Sequence, residues 1–255
     1  MTRRRVIFIL ISVLLASTAL LVRVVPKNVT FLYVLVLSVV SSVAFYFALE
    51  LKDFKKLVPY VLILPIHVAV GMALSMFGFP NLSLRLRLIF TLLVSLMFYI
   101  SLLVLNIIVV VKSRGKLIPL YRAAVTWSQI LIVIVSIPFI ACVFKLPILP
   151  LFQIVLVSVS AFLLILYFLW SIEPEFGAPS LDLALLGSFW VFMLATSILF
   201  LPFEAIFRGL FLSSVLLFAI GFAHNYLKHA LTSKLILEYI IITIAFLFLG
   251  LLFIP

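Results

Sequence analysis

Cysteine is almost missing from this chain: Cys142 stands alone, inside an apolar run. That excludes a disulfide framework and a cysteine metal site. Acidic residues are scarce too, seven in 255, and three of them fall between 172 and 182. No dense carboxylate cluster is left to hold a cation. The sequence also lacks a glycine-rich phosphate loop, a serine elbow and a histidine pair at four-residue zinc spacing. A pump with its own nucleotide domain is therefore excluded for this chain alone. No linker is rich in serine or glycine, and no gap between apolar runs could house a soluble domain. Nothing points to a cofactor or a metal.

What is present is apolar. Hydrophobic residues make up 67% of the chain and charged residues 10%, with a mean hydropathy of +1.50. A soluble globular protein is nearer half apolar and a quarter charged. Nine apolar stretches fill the sequence, near 6–22, 30–50, 57–77, 88–111, 123–144, 147–171, 183–201, 204–226 and 235–253. Each approaches the ~20 residues that a spanning helix needs. Backbone groups in hydrocarbon must pair internally, which leaves helices or closed barrel strands. Barrel strands are about ten residues long and alternate in polarity, whereas Val6–Val22 and Leu88–Val111 are long and uniformly apolar. The expected fold is all-α: a polytopic transmembrane helical bundle of eight or nine spans, in a single integral membrane domain covering 1–255.

The net charge of +11 sits in the gaps. At helix ends such charge fixes topology and meets anionic lipid headgroups, so no nucleic-acid partner is expected. With a cytoplasmic N-terminus and alternating spans, one side holds Arg3, Arg4, Arg5, Lys52, Lys55, Lys56, Lys112, Arg114, Lys116, Arg122, Lys228 and Lys234. The other holds Arg23, Lys27, Arg85, Arg87, Lys145 and Arg208. This bias of 12 against 6 favours the N-terminus inside, in a plasma (cytoplasmic) membrane. Ala16-Ser17-Thr18-Ala19 offers small residues for signal cleavage, but the run is long for a signal core and an uncleaved first helix is simpler. The gap 201–203 is short enough for a tight hairpin or a broken helix; a single crossing there would return the C-terminus to the cytoplasm.

A boundary at 172–182 suggests a possible 6+3 division of the helices. Pro65 and Pro138 lie inside spans and should kink them. Gly209 with Ser213, and Ala219 with Ala223, place small residues four apart, which allows close helix contact. Trp127 and Trp170 are placed as interfacial belt residues and Trp190 as packing.

A few polar residues interrupt the apolar runs. Glu204 and Arg208, four apart, share a face if both are helical. They form either an intramembrane acid–base or carboxylate-binding site, or an interfacial ion pair whose arginine reaches for the headgroups. His67 follows Pro65 in mid-span, where histidine can relay protons or simply bond a neighbouring helix. His224, Asn225, Lys228 and His229 form a polar helix end, and Lys234 with Glu238 reads as a surface ion pair. Asn106, Gln129 and Gln153, with Ser41, Ser42, Ser95, Ser158 and Ser160, are expected to bond between helices.

The string Phe203-Glu204-Ala205-Ile206-Phe207-Arg208-Gly209-Leu210 resembles part of the glutamate-rich motif of the CAAX-protease and bacteriocin-processing (CPBP) membrane family. That motif has two adjacent glutamates, three residues, then arginine; Phe203 stands here where the first glutamate would be. The resemblance implies an intramembrane enzyme using Glu204, Arg208 and a later histidine, His224. On one continuous helix, however, His224 lies about 30 Å beyond Glu204 and about 200° around the axis. Three functions follow from these residues: a non-catalytic membrane subunit or scaffold, with a membrane-protein partner or a second copy; a small-solute or lipid transporter with a cavity lined by His67, Asn106, Gln129 and Glu204; or that intramembrane enzyme.

Overall fold

A computed structural model describes residues 3–21, 25, 29–51, 58–78, 83–114, 119–173 and 177–253. Among them the chain forms nine α-helices and no strand: α1 Arg3–Leu20, α2 Thr30–Ala48, α3 Val58–Gly78, α4 Leu84–Arg114, α5 Leu120–Val143, α6 Pro150–Ile172, α7 Ala178–Leu199, α8 Ala205–Leu227 and α9 Ser233–Leu252. Eight of these, α2 to α9, are long and apolar enough to cross a membrane. The exception, α1, is 18 residues long and begins on three arginines. The protein is an integral membrane protein with a polytopic helical architecture.

Sequence marks the helix ends. Pro150 opens α6 and Pro179 stands in the first turn of α7, where a missing N–H costs nothing. Thr232 caps α9 by accepting from the Leu235 N–H. After α8, His229 takes a left-handed conformation, φ 53°, and the Ala230 N–H reaches back to the Asn225 carbonyl. Glu50 makes the same left-handed stop after α2, φ 54°. Glycine is the usual residue in such a stop; here polar side chains in the gap carry it. Pro65 and Pro138 sit inside α3 and α5.

Contacts cluster into two compact units, Met1–Leu131 and Ile132–Pro255, with the boundary inside α5. In the first unit α2 packs on α3, α1 on α4, and α3 on α4. Phe45, Leu64, Phe98, Leu102 and Leu105 are fully buried there. Arg4 and Glu50 approach to 3.5 Å, so the start of α1 and the end of α2 lie at one end of this unit. In the second unit α8 packs on α6, α7 and α9. Ile165, Phe168, Leu212 and Ile220 are buried without exposure.

Small residues decide how closely helices approach in the second unit. A Cβ built on Gly209 would stand 2.6 Å from the Ile137 carbonyl oxygen of α5 and 3.1 Å from Ala141. One turn on, the hydroxyls of Ser213 and Ser136 are 2.8 Å apart. The Gly209/Ser213 spacing is therefore the α5–α8 contact. Ala219 faces Gly187 of α7, where a Cβ would meet it at 3.0 Å. Trp190 of α7 stacks on Phe218 at 5.2 Å and meets Phe222 edge-on at 5.1 Å, a packing role. Trp170 differs from the belt expectation: it is buried, 3% exposed, beside Tyr167. Its proximity to a span end suggested a headgroup position, but its ring turns into the packed side of α6. Trp127 is exposed.

Candidate functional site

Glu204 and Arg208 were expected to share a helix face, and they do not pair. Glu204 is the residue before α8 begins, with extended backbone, φ −62° and ψ 150°. The i,i+4 rule applies to helical residues only, so the Glu204 side chain leaves in another direction and stays exposed. Its backbone carbonyl accepts from the Phe207 and Arg208 N–H groups. Arg208 folds back instead. Its guanidinium donates to the Leu201 carbonyl at 3.2 Å, just past the end of α7, and lies 5.4 Å over the Phe144 ring. Arginine suits both partners: its fork donates to carbonyls at a helix C-terminus and its plane stacks on an aromatic face. Its Nε is buried and unpartnered among the described residues.

His224 is far from this corner. It occupies the last turn of the same unbroken helix, α8, 20 residues after Glu204, or about 30 Å along the axis. Its ring lies 5.7 Å from Phe168, and its Nδ1 is buried without a partner among the described residues. The polar residues around it stop the helix. Asn225 donates from its amide to the Gly221 carbonyl, and the His224 carbonyl accepts from the Lys228 N–H. Glu238 is exposed on α9 and forms no ion pair with Lys234. Lysine preceding glutamate is the weaker orientation of such a pair on a helix.

In the first unit His67 is buried, 5% exposed, and its Nδ1 donates to the Ile63 carbonyl of its own helix at 2.8 Å. Asn106 on α4 and Gln129 on α5 are half-buried, and neither has a hydrogen-bond partner among the described residues. A cavity of about 230 Å³ between α1 and α4 is lined by Ile9, Ser12, Leu92, Ser95, Leu96 and Tyr99, so none of the seven polar candidates faces it.

The serines correct an expectation of bonds between helices. Ser41 and Ser42 donate to the Ser38 carbonyl, and Ser158 to that of Ile154. A hydroxyl reaches the carbonyl one turn back without waiting for a second helix. Gln153 likewise finds the Leu146 carbonyl just before its own helix, at 2.9 Å. One contact had no signal in the sequence: Arg4–Glu50 joins residues far apart in the chain. Another, Ser136–Ser213, was half visible through the Gly209/Ser213 spacing. Arg23, Lys27, Lys52, Lys55, Lys56 and Lys116, which carried much of the threading argument, lie outside the described residues. Among the described residues no three of His, Cys, Asp and Glu come together to hold a metal ion. The chain matches no protein-family model, no curated protein and no solved structure.

Proposed function

We propose that this protein is a non-catalytic subunit or scaffold of a cytoplasmic membrane, with its N-terminus in the cytoplasm and its basic helix ends on anionic headgroups. The observation that carries the role is the dispersal of its chemistry. Glu204 and His224 stand at opposite ends of α8, while His67 is bonded within α3. A catalytic site needs acid, base and electrophile within hydrogen-bond reach of one reacting atom, and the seven candidates supply no such convergence within either unit. Glu204→Gln tests this. The variant should complement a deletion strain as fully as wild type and unfold within about 0.5 kcal/mol of it. Loss of complementation at unchanged protein level would favour the enzyme.

The orientation rests on the charge bias; the Arg4–Glu50 contact adds that the start of α1 and the end of α2 share a side. It is tested with single cysteines in a Cys142→Ser background. In intact cells an impermeant maleimide should label Ser83→Cys and Lys145→Cys, and should label Glu50→Cys and Ser113→Cys only after lysis. The reverse pattern would invert the threading.

A further inference from the structure

Four helix ends of the second unit meet around Arg208. It is the fourth residue of α8. Its guanidinium touches Phe144, which follows α5, and Leu201, which follows α7. Phe203, just before α8, lies against the position of Gly250 near the end of α9. Spanning helices stop where the hydrocarbon stops, so this corner stands at the depth of the lipid headgroups. The arginine side chain runs the same way. Its Cα is about 4.5 Å inside the start of α8, yet its head reaches back to a carbonyl in the gap before the helix. A long basic side chain near a span end takes this course, leaving its stem in the apolar layer and its charge in the polar one.

The charge of Arg208 is not answered by the chain. It forms no ion pair among the described residues, and Glu204 is turned elsewhere. Leu201 accepts one N–H, Phe144 lies under the plane, and Nε is enclosed. The other terminal nitrogen is open and takes no partner among the described residues. A guanidinium carries five N–H donors and a full positive charge. One neutral carbonyl and one ring leave an anion still wanted.

The edges of the corner decide which anion comes. Phe200, next to Leu201, is 82% exposed, and Leu149, five residues after Phe144, is 67% exposed. In a spanning protein, side chains this apolar and this exposed face lipid. The anion found along a lipid-facing edge at headgroup depth is the phosphate of a phospholipid, and guanidinium is the side chain best matched to phosphate.

We propose that Arg208 holds the phosphate of an anionic phospholipid, whose acyl chains run beside Phe200 and Leu149. The shared chemistry is a phosphate anion, which free phosphate also offers; the apolar edges assign the site to lipid. The site rests on the reading of basic helix ends as headgroup contacts and makes it specific to one residue. Its failure would leave the complementation result for Glu204→Gln, which tests the scaffold role, untouched.

The experiment uses the full chain in mild detergent, titrated with phosphatidylglycerol. Bound lipid is counted by native mass spectrometry, and thermal unfolding is followed in parallel. Wild type should retain phosphatidylglycerol in preference to phosphatidylcholine and should unfold at a higher temperature in its presence. Inorganic phosphate at the same concentration should give no such rise. Arg208→Gln should weaken phosphatidylglycerol binding about fivefold, and Arg208→Lys should keep at least half of the lipid-induced rise. Lys228→Gln removes the same charge at the other end of α8 and should change phosphatidylglycerol binding little. Arg208→Gln also loses the bond to Leu201, so its unfolding temperature without lipid should fall; the quantity that decides is the rise on adding lipid. An undiminished rise in Arg208→Gln would make the arginine only a tie between α7 and α8 and overturn the proposal. So would equal weakening by Lys228→Gln, an equal effect of inorganic phosphate, or a wild type indifferent to phosphatidylglycerol over phosphatidylcholine. The last comparison needs no variant to fold.

Discussion

Gly209→Val should unfold the second unit more than any other single methyl-scale change in it. The first added carbon would lie 2.6 Å from the Ile137 carbonyl oxygen. That is backbone of another helix, and it cannot swing aside as the tip of a side chain can. Either α8 is pushed off α5 or the Ala141-to-Ile137 turn of α5 opens. Overpacking in a close-packed interior costs about 1–3 kcal/mol and at times more. The neighbouring Ser213→Ala removes only the 2.8 Å bond to Ser136, worth about 0.6 kcal/mol for a polar contact between membrane helices. Thermal unfolding in mild detergent should therefore rank wild type, Ser213→Ala and Gly209→Val in falling order, with a wide gap before the last. Equal stability of Gly209→Val and wild type would refute the α5–α8 crossing. Gly221→Ala should be milder, because its Cβ would meet the end of the Tyr239 ring, which can turn.

Ile241→Arg should be the most damaging single substitution on an exposed surface. Ile241 is 55% exposed near the centre of α9. In water an arginine there would be harmless. In hydrocarbon it costs about 2.5–3.5 kcal/mol at a helix centre on insertion scales. The helix has little to oppose that cost, since Gly250 is its one buried residue and its described packing is on α8. A glycosylation-mapping assay should show a large fall in membrane-inserted α9 for Ile241→Arg and little change for Thr232→Arg, outside the helix. Normal insertion of Ile241→Arg would mean that this face meets protein or water rather than lipid.

These effects separate what the sequence shows from what it hides. The helices were legible because the apolar runs are long, uniform and interrupted by charge, so the membrane leaves one solution for their backbone. The gap at 201–203 was read as a hairpin or a broken helix, and α7 ends at Leu199 before α8 begins at Ala205. Side-chain partners were less legible. Glu204 and Arg208 look like a pair on a helical wheel, but one of them precedes the helix, and its dihedral angles are invisible in a spacing rule. The serines could be placed in spans, yet their choice of the carbonyl one turn back depends on geometry that every helix offers. Trp170 shows the same limit: position along a span does not state which way a ring faces. The small residues fared better, because Gly209 acts through what it lacks, and absence of bulk is readable directly.

The slender attachment of α9 also bears on the order in which the protein is made. As the chain leaves the ribosome, α5, α6 and α7 precede α8, so α8 finds its neighbours already threaded and can close the second unit at once. α9 arrives afterwards with α8 as its docking surface, guided by Tyr239 seating against Gly221 and by Phe203 against Gly250. Phe218 then lies between two rings, stacked on Trp190 of α7 at 5.2 Å and meeting Tyr239 of α9 at 6.2 Å. A stalled chain ending before Ser233 would thus present a nearly complete second unit with one bare flank.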